Sequence, residues 1–237
     1  RNSQWYCESV PLETLARAYG TPLYVYSQNT MRDHFMRMDA ALRQLDHMIC
    51  YAVKANSNLA VIKTFADLGA GFDIVSAGEL YRVIKAGGDP RKAVFAGVGK
   101  TADEIRYALD RRVYCFNVES DVELLRINAV AKACKRVANF CLRVNPDVDP
   151  RTHKYITTGK KETKFGMDFA AAMRLYRSAR RLKHTRAIGV QMHIGSQITS
   201  TTPYITALKR LAAFVKEVRA AGVALECVDI GGGMGII

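Results

Sequence analysis

Apolar and polar positions alternate in seven short runs, at residues 48–55, 71–76, 93–97, 113–118, 139–145, 188–194 and 226–230. Between the runs, apolar residues recur three and four apart, the spacing of one helix face. In 58–68 that face is Leu59, Ile62 and Ala66, with Gly69 as a stop signal. In 202–221 it is Leu208, Leu211, Val215 and Val218, followed by Gly222. Strand and helix in succession require parallel strands joined by right-handed crossovers. Two α/β architectures satisfy this, an open doubly wound sheet and a closed (β/α)8 TIM barrel. The alternation separates them. Phe140, Leu142 and Val144 share one face, and Cys141, Arg143 and Asn145 the other. Gln191 and His193 oppose Val190, Met192 and Ile194; Cys50, Ala52 and Lys54 oppose Ile49, Tyr51 and Val53. A doubly wound sheet is apolar on both faces, whereas a barrel whose interior ends in a polar pocket explains one apolar and one partly polar face. A (β/α)8 barrel is therefore predicted, with seven strands visible. Residues 23–27 read as a further strand, either the eighth or one that pairs outside the chain.

Composition narrows the function classes. The chain has 237 residues, 49% of them hydrophobic, which excludes intrinsic disorder and allows one core of barrel size or two small domains. No stretch of 18 or more apolar residues occurs, so no transmembrane helix is predicted, and Arg1-Asn2-Ser3 opens no apolar signal region. The net charge of +13 fits a solvated basic surface or attraction for anionic small molecules. Basic residues are spread along the chain, with clusters such as 177–183 reading as an exposed helix face. No zinc-finger, homeodomain or RNA-recognition signature accompanies them, so no nucleic-acid partner is expected. Six cysteines include no CxxC pair, and no zinc site is expected. Cys50, Cys115, Cys141 and Cys227 lie in apolar runs as small hydrophobes, and the six are expected to be reduced thiols of a cytoplasmic protein.

Alternation places Lys54, Asp73, Arg143, His193 and Asp229 on inward positions near the C-terminal ends of separate strands. That end of a barrel holds the active site. Singly, each is more often a solvated charge or a satisfied packing partner. Five such groups at one mouth are costly unless paired or used. A lysine at the floor of an enclosed pocket, close to a second cation such as Arg143, can form a Schiff base, and Asp73 can pair with it. Gly231-Gly232-Gly233 follows the last predicted strand, where barrels place phosphate sites, and consecutive glycines let backbone N–H groups approach an anion. His193 can stack on a flat ring, and Ser196 can donate to phosphate. A pocket lysine with a phosphate cradle suggests pyridoxal 5'-phosphate. The long insertion after the fifth strand, 145–159 with Lys164-Phe165-Gly166, is expected to be a lid or a dimer contact.

Seven motifs in order resemble the diaminopimelate decarboxylases, within the alanine-racemase-like, fold-type III pyridoxal-phosphate enzymes. They are Tyr51-Ala52-Val53-Lys54-Ala55-Asn56, Phe72-Asp73-Ile74-Val75-Ser76-Ala77-Gly78-Glu79-Leu80, Arg143-Val144-Asn145-Pro146-Asp147-Val148, Tyr155-Ile156-Thr157-Thr158-Gly159, Lys164-Phe165-Gly166, His193-Ile194-Gly195-Ser196-Gln197 and Asp229-Ile230-Gly231-Gly232-Gly233. The resemblance implies that Lys54 is the Schiff-base lysine and His193 stacks against the pyridine ring. It further implies that Ser196, Gly231, Gly232 and Gly233 bind phosphate, and that Asp73 and Arg143 support lysine and ring. The implied reaction is decarboxylation of meso-2,6-diaminopimelate to L-lysine by a cytoplasmic homodimer with its site at the interface. Alternatives are another basic amino acid decarboxylase, of ornithine or carboxynorspermidine type, and a non-catalytic pyridoxal-phosphate-binding barrel. The family's Glu-Pro-Gly-Arg segment on the eighth strand has no counterpart in the chain, nor has its C-terminal β-domain with a catalytic Cys and Tyr. On this resemblance, residues 1–27 belong with that β-domain and residues 28–237 form the barrel.

Overall fold

A computed structural model describes residues 4–148 and 165–236. The chain opens with a small antiparallel pair, β1 (Tyr6–Cys7) and β2 (Val10–Pro11), then α1 (Leu12–Tyr19) and α2 (Gln28–Leu42). Strand and helix then alternate: β3 (Cys50–Ala52), α3 (Leu59–Asp67), β4 (Gly71–Ile74), α4 (Ala77–Lys85), β5 (Ala93–Phe95), α5 (Ala102–Asp110), β6 (Cys115–Val118), α6 (Asp121–Ala133), β7 (Ala138–Val144), α7 (Phe169–Ala179), β8 (Thr185–Met192), α8 (Thr202–Ala220) and β9 (Cys227–Asp229). The seven strands β3 to β9 pair in sequence order, all parallel. Each of the seven predicted runs overlaps one of them, although β7 begins one residue and β8 three residues before its run.

The sheet is curled. Asn117 on β6 donates Nδ2–H to Asp229 Oδ2 on β9 at 3.0 Å. In a flat sheet three strand spacings would hold them about 14 Å apart. Asp229 also raises the pKa of the Cys50 thiol on β3, at the other end of the strand order. The sheet therefore bends round on itself as a barrel does.

Two cores follow from the two faces. Phe72, Ile74, Phe95, Phe116, Phe140, Leu142, Val144, Val190 and Met192 meet the helices in the larger one. The smaller fills the interior with Val94, Cys115, Cys141 and Ile188, packed by Cys50, Tyr114 and Cys227. Cys141 Sγ lies 3.8 Å from Cys115 Sγ and 3.7 Å from Cys227 Sγ, and all six cysteines are free thiols.

Local signals set the helix ends. Ser76 and Ser120 accept hydrogen bonds from the N–H groups of Glu79 and Glu123, and Thr101 with Glu104 forms a capping box. Gly69 and Gly222 end α3 and α8 with φ of +81° and +80°, a left-handed conformation that glycine adopts without steric cost.

Four expectations need correction. Residues 23–27 do not supply an eighth strand: among the described residues they form no strand, Leu23, Tyr24, Val25 and Tyr26 are exposed, and no strand pairs with them. β-propensity without a neighbouring edge does not make a strand. The first predicted run breaks after Ala52 into a 3-10 turn, Val53–Ala55, which carries Lys54. Leu59 is 44% exposed at the start of α3 and Leu208 is 37% exposed on α8, whereas Ile62, Leu211 and Val218 are buried. Lastly, β8 contains a bulge. Cys141 pairs with Gly189 although Phe140 pairs with Ala187, so Ile188 is an extra residue. The bulge lets Ile188 join the interior while Val190 and Met192 still face the helices. Residues 149–164 of the expected lid, with the motifs Tyr155–Gly159 and Lys164, lie outside the described residues. Among the described residues no helix is long and apolar enough to cross a membrane.

Gly189 sets the width of the interior. A Cβ there would meet Cys227 Sγ, Cys227 O at 2.5 Å and Cys141 Sγ at 2.9 Å. Gly189→Ala should therefore lower the unfolding free energy by about 1–3 kcal/mol in urea denaturation. Adding Cys227→Ala should not restore it, because the Cys227 carbonyl remains in the way. Full rescue by the second substitution would show that only the thiol is crowded.

Candidate active site

The C-terminal ends of the strands carry the polar layer of the interior. Arg143, Gln191 and Asp229 are paired neighbours on β7, β8 and β9, one step beyond Cys141, Gly189 and Cys227. Asp73 occupies the corresponding inward position on β4. Lys54 follows β3 in its 3-10 turn, and His193 follows β8 directly.

These groups feel one another. Burial pushes the Asp73 carboxyl up to about 6; Asp229 adds to the rise, and Lys54 and Arg143 oppose it. Burial also pushes Asp229 up, against hydrogen bonds from Gly231 N–H at 2.8 Å and Asn117 Nδ2–H at 3.0 Å. His193 is pulled down to about 4 by burial and by the cations Arg143 and Lys54, so its ring is neutral at pH 7. Gly232 N–H donates to His193 Nδ1 at 3.4 Å, which leaves the ring proton to Nε2. Two cations, two carboxylates and a neutral imidazole thus share the mouth.

Arg143 is held from the side. Its Nη1 lies 2.9 Å from Glu119 Oε1, its guanidinium packs over the Phe165 ring, and Gly166 N–H donates to Glu119 Oε2 at 3.0 Å. The Gly231–Gly233 turn is packed against the segment after β8. A Cβ on Gly231 would run into Met192 O and His193, and one on Gly233 into Gly195 O. Their φ values of +71° and +90° are left-handed as well. At Gly232 an added Cβ would meet nothing within 4 Å, so this turn presents open backbone. Tyr204 Oη–H anchors it from α8 by donating to Gly232 O at 2.8 Å. Ile198 N–H donates to Gly233 O at 2.9 Å, which ties in the loop carrying Ser196.

Sequence reasoning had Lys54 enclosed, but its side chain is exposed at the barrel rim. The 3-10 turn ends the strand early and lifts the residue clear of the interior. Asp73, Arg143, His193 and Asp229 come together beside the Gly231–Gly233 turn, to which the loop carrying Ser196 is tied through Ile198. Glu119, Asn117 and Gln191 were missed. Asn117 and Gln191 occupy inward positions in the predicted runs, and Glu119 directly precedes the Ser120-x-x-Glu123 cap signature. These were the signals available.

The opposite shifts of Asp73 and His193 carry a pH signature. The raised carboxyl contributes stability that is present below pH 3.8 and lost as pH rises through about 6; the lowered imidazole contributes stability present above pH 6.5 and lost as pH falls towards about 4. Asp73→Asn should therefore gain on the parent chain as pH rises from 4 to 7, by up to about 3 kcal/mol. His193→Asn should gain on it as pH falls over the same window. Denaturation midpoints measured at half-unit steps test both, and a pH-independent difference for either variant would show that the group is not shifted.

Comparison with known proteins accords with this geometry. The family described as Pyridoxal-dependent decarboxylase, pyridoxal binding domain, matches residues 28–237. The diaminopimelate decarboxylase of Vibrio cholerae serotype O1 is 50% identical over 236 residues, covering 100% of this chain and 57% of that protein. The crystal structure of diaminopimelate decarboxylase from Helicobacter pylori complexed with L-lysine superposes with a TM-score of 0.92 at 39% identity, covering 95% of this chain and 57% of that one. The M. jannaschii enzyme in co-complex with L-lysine gives 0.93 at 36% identity, over 100% of this chain and 56% of that one. The chain thus spans little more than half the length of these relatives. From its barrel and from the match over residues 28–237, the chain belongs to the pyridoxal-dependent decarboxylases and carries their pyridoxal binding domain.

Proposed function

We propose that this chain forms the cofactor-binding barrel of a decarboxylase that converts meso-2,6-diaminopimelate to L-lysine and carbon dioxide in lysine biosynthesis. The observation that carries the reading is the meeting of Lys54, Asp73, Arg143, His193 and Asp229 at one mouth, beside a glycine turn with open backbone. The similar proteins named diaminopimelate decarboxylase, two of them crystallised with L-lysine, support the choice of substrate.

The residues present fit pyridoxal 5'-phosphate. The Gly231–Gly233 turn lets an anion approach its backbone at Gly232, which faces open space. Gly231 N–H is held by Asp229 Oδ1 and Gly232 N–H lies a long 3.4 Å from His193 Nδ1, so phosphate binding would redirect the Gly232 donor. The Ser196 hydroxyl stands in the loop bonded to Gly233. Together they suit a phosphate. The Lys54 amine, exposed at the rim, suits the carbonyl carbon. When bound, pyridoxal 5'-phosphate supplies a conjugated ring that accepts the electron pair left as the carboxylate departs.

The protein's share is binding, orientation and charge. Asp73 attracts the Lys54 ammonium and aims it at the mouth. His193 offers the flat face of a neutral ring, fixed in rotation by the Gly232 N–H on Nδ1. Arg143, clamped by Glu119, presents a guanidinium to a ring oxygen or nitrogen. Lys54 Nζ would hold the carbonyl carbon of the cofactor. The apolar wall under the mouth keeps water from the interior.

Residues 1–27 are assigned to a β-domain beyond the barrel, and 28–237 to the barrel itself. The pairing of β1 with β2 apart from the main sheet supports the division. Assembly as a homodimer, with the mouth at the interface, agrees with the exposed rim. A cytoplasmic location agrees with six unbridged cysteines.

Borohydride treatment of the protein loaded with pyridoxal 5'-phosphate should fix the cofactor to the peptide containing Lys54. In the whole decarboxylase to which the barrel is proposed to belong, carbon dioxide release should be seen with meso-2,6-diaminopimelate and not with ornithine or arginine. His193→Ala should lower turnover more than cofactor loading. Fixation at another lysine would overturn the site. Preference for ornithine would overturn the substrate, and loading without any release of carbon dioxide would leave a cofactor-binding barrel that is not an enzyme.

A further inference from the structure

Outside the polar layer lies a buried ion pair that the reading above does not use. Lys100, in the loop between β5 and α5, and Glu123, in the first turn of α6, meet at 2.6 Å with side chains 1% and 7% exposed. Every donor of the Lys100 ammonium is engaged: Glu123 Oε1 at 2.6 Å, Gly97 O at 2.5 Å and Asn117 O at 2.8 Å. The second oxygen of Glu123 accepts Glu119 N–H at 2.8 Å.

As an ion pair it adds little net stability, because removing two charges from water offsets most of their attraction; its hydrogen bonds to Gly97 O, Asn117 O and Glu119 N–H are a separate contribution. What the pair adds is direction. Both of its ends grip the backbone at the C-terminal end of β6, at Asn117 O and Glu119 N. Each gripped residue sends its side chain to a member of the site. Glu119 holds Arg143 at 2.9 Å, and Asn117 holds Asp229 at 3.0 Å.

We propose that the Lys100–Glu123 pair is a positioning device that aims both walls of the mouth, Arg143 through Glu119 and Asp229 through Asn117. Neither residue touches the reacting atoms; both act through others. The inference rests on the proposed role of the mouth in holding pyridoxal 5'-phosphate, and one of its readouts does not depend on that role.

The test is the paired replacement Lys100→Met with Glu123→Leu, which leaves no lone buried charge. The full chain carrying both changes should still fold, with a melting temperature lowered by the loss of partners for Gly97 O, Asn117 O and Glu119 N–H. Its dissociation constant for pyridoxal 5'-phosphate should rise by roughly tenfold to a hundredfold, the range expected from one misdirected charge-assisted hydrogen bond. The His193 ring titration, followed by NMR without cofactor, should move upward from about 4 as Arg143 drifts away. Lys100→Gln with Glu123→Gln, which leaves no lone buried charge and keeps polar groups at both positions, gives a second series should the pair variant fail to fold. It should shift the same two readouts in the same directions.

A variant that melts lower but keeps the parent affinity and the parent His193 titration would make the pair purely structural and overturn the proposal. Failure of the parent itself to bind pyridoxal 5'-phosphate would overturn the proposed function instead, and the His193 titration would still decide the positioning role.

Discussion

A narrow barrel interior is the constraint on which the rest depends. The sheet curls tightly enough for β6 to reach β9, and it can do so because its inward face carries small side chains. Cys115, Cys141 and Cys227 converge there, and Gly189 stands between Cys141 and Cys227 in the strand order. With no Cβ at Gly189, the two thiols come within 3.7 Å across it. Cysteine suits the place as a compact, polarizable hydrophobe. Burial pushes the Cys50 thiol up to about 12, which keeps it a neutral filler rather than a nucleophile.

Curling also concentrates charge. Side chains that a flat sheet would spread along its edge are gathered into one ring, and burial raises the cost of each charge. The ring answers with a balance of two cations against two carboxylates, with His193 kept neutral by its cationic neighbours. The displaced pKa values of Asp73 and His193 are thus consequences of the sheet's curl. Such displacement is usual where a site is arranged for chemistry.

Around this ring the protein uses direction rather than bulk. Backbone atoms of the segment after β8 lock the glycine turn, Glu119 locks Arg143, and a buried ion pair locks the strand end from which Glu119 and Asn117 project. Each lock lies at the C-terminal ends of the strands. The packing between sheet and helices is a conventional apolar layer of aromatic and branched residues.

Periodicity in the sequence determined the seven strands, their parallel order and the face each turns inward, because a period of two and a period of 3.6 are local properties of the chain. It also singled out Lys54, Asp73, Arg143, His193 and Asp229, since polar residues on an otherwise apolar pattern stand out. Only the tertiary structure decided the rest. The bulge at Ile188 depends on how β8 registers against β7. The 3-10 turn that exposes Lys54 is a three-residue deviation that alternation does not register. Residues 23–27 have the composition of a strand but find no edge to pair with. Lys100, Glu123, Glu119 and Asn117 form a network spanning two consecutive strand–helix connections. Hydrogen bonds between side chains distant in sequence leave no period in the chain, so that network became visible only once the sheet had curled.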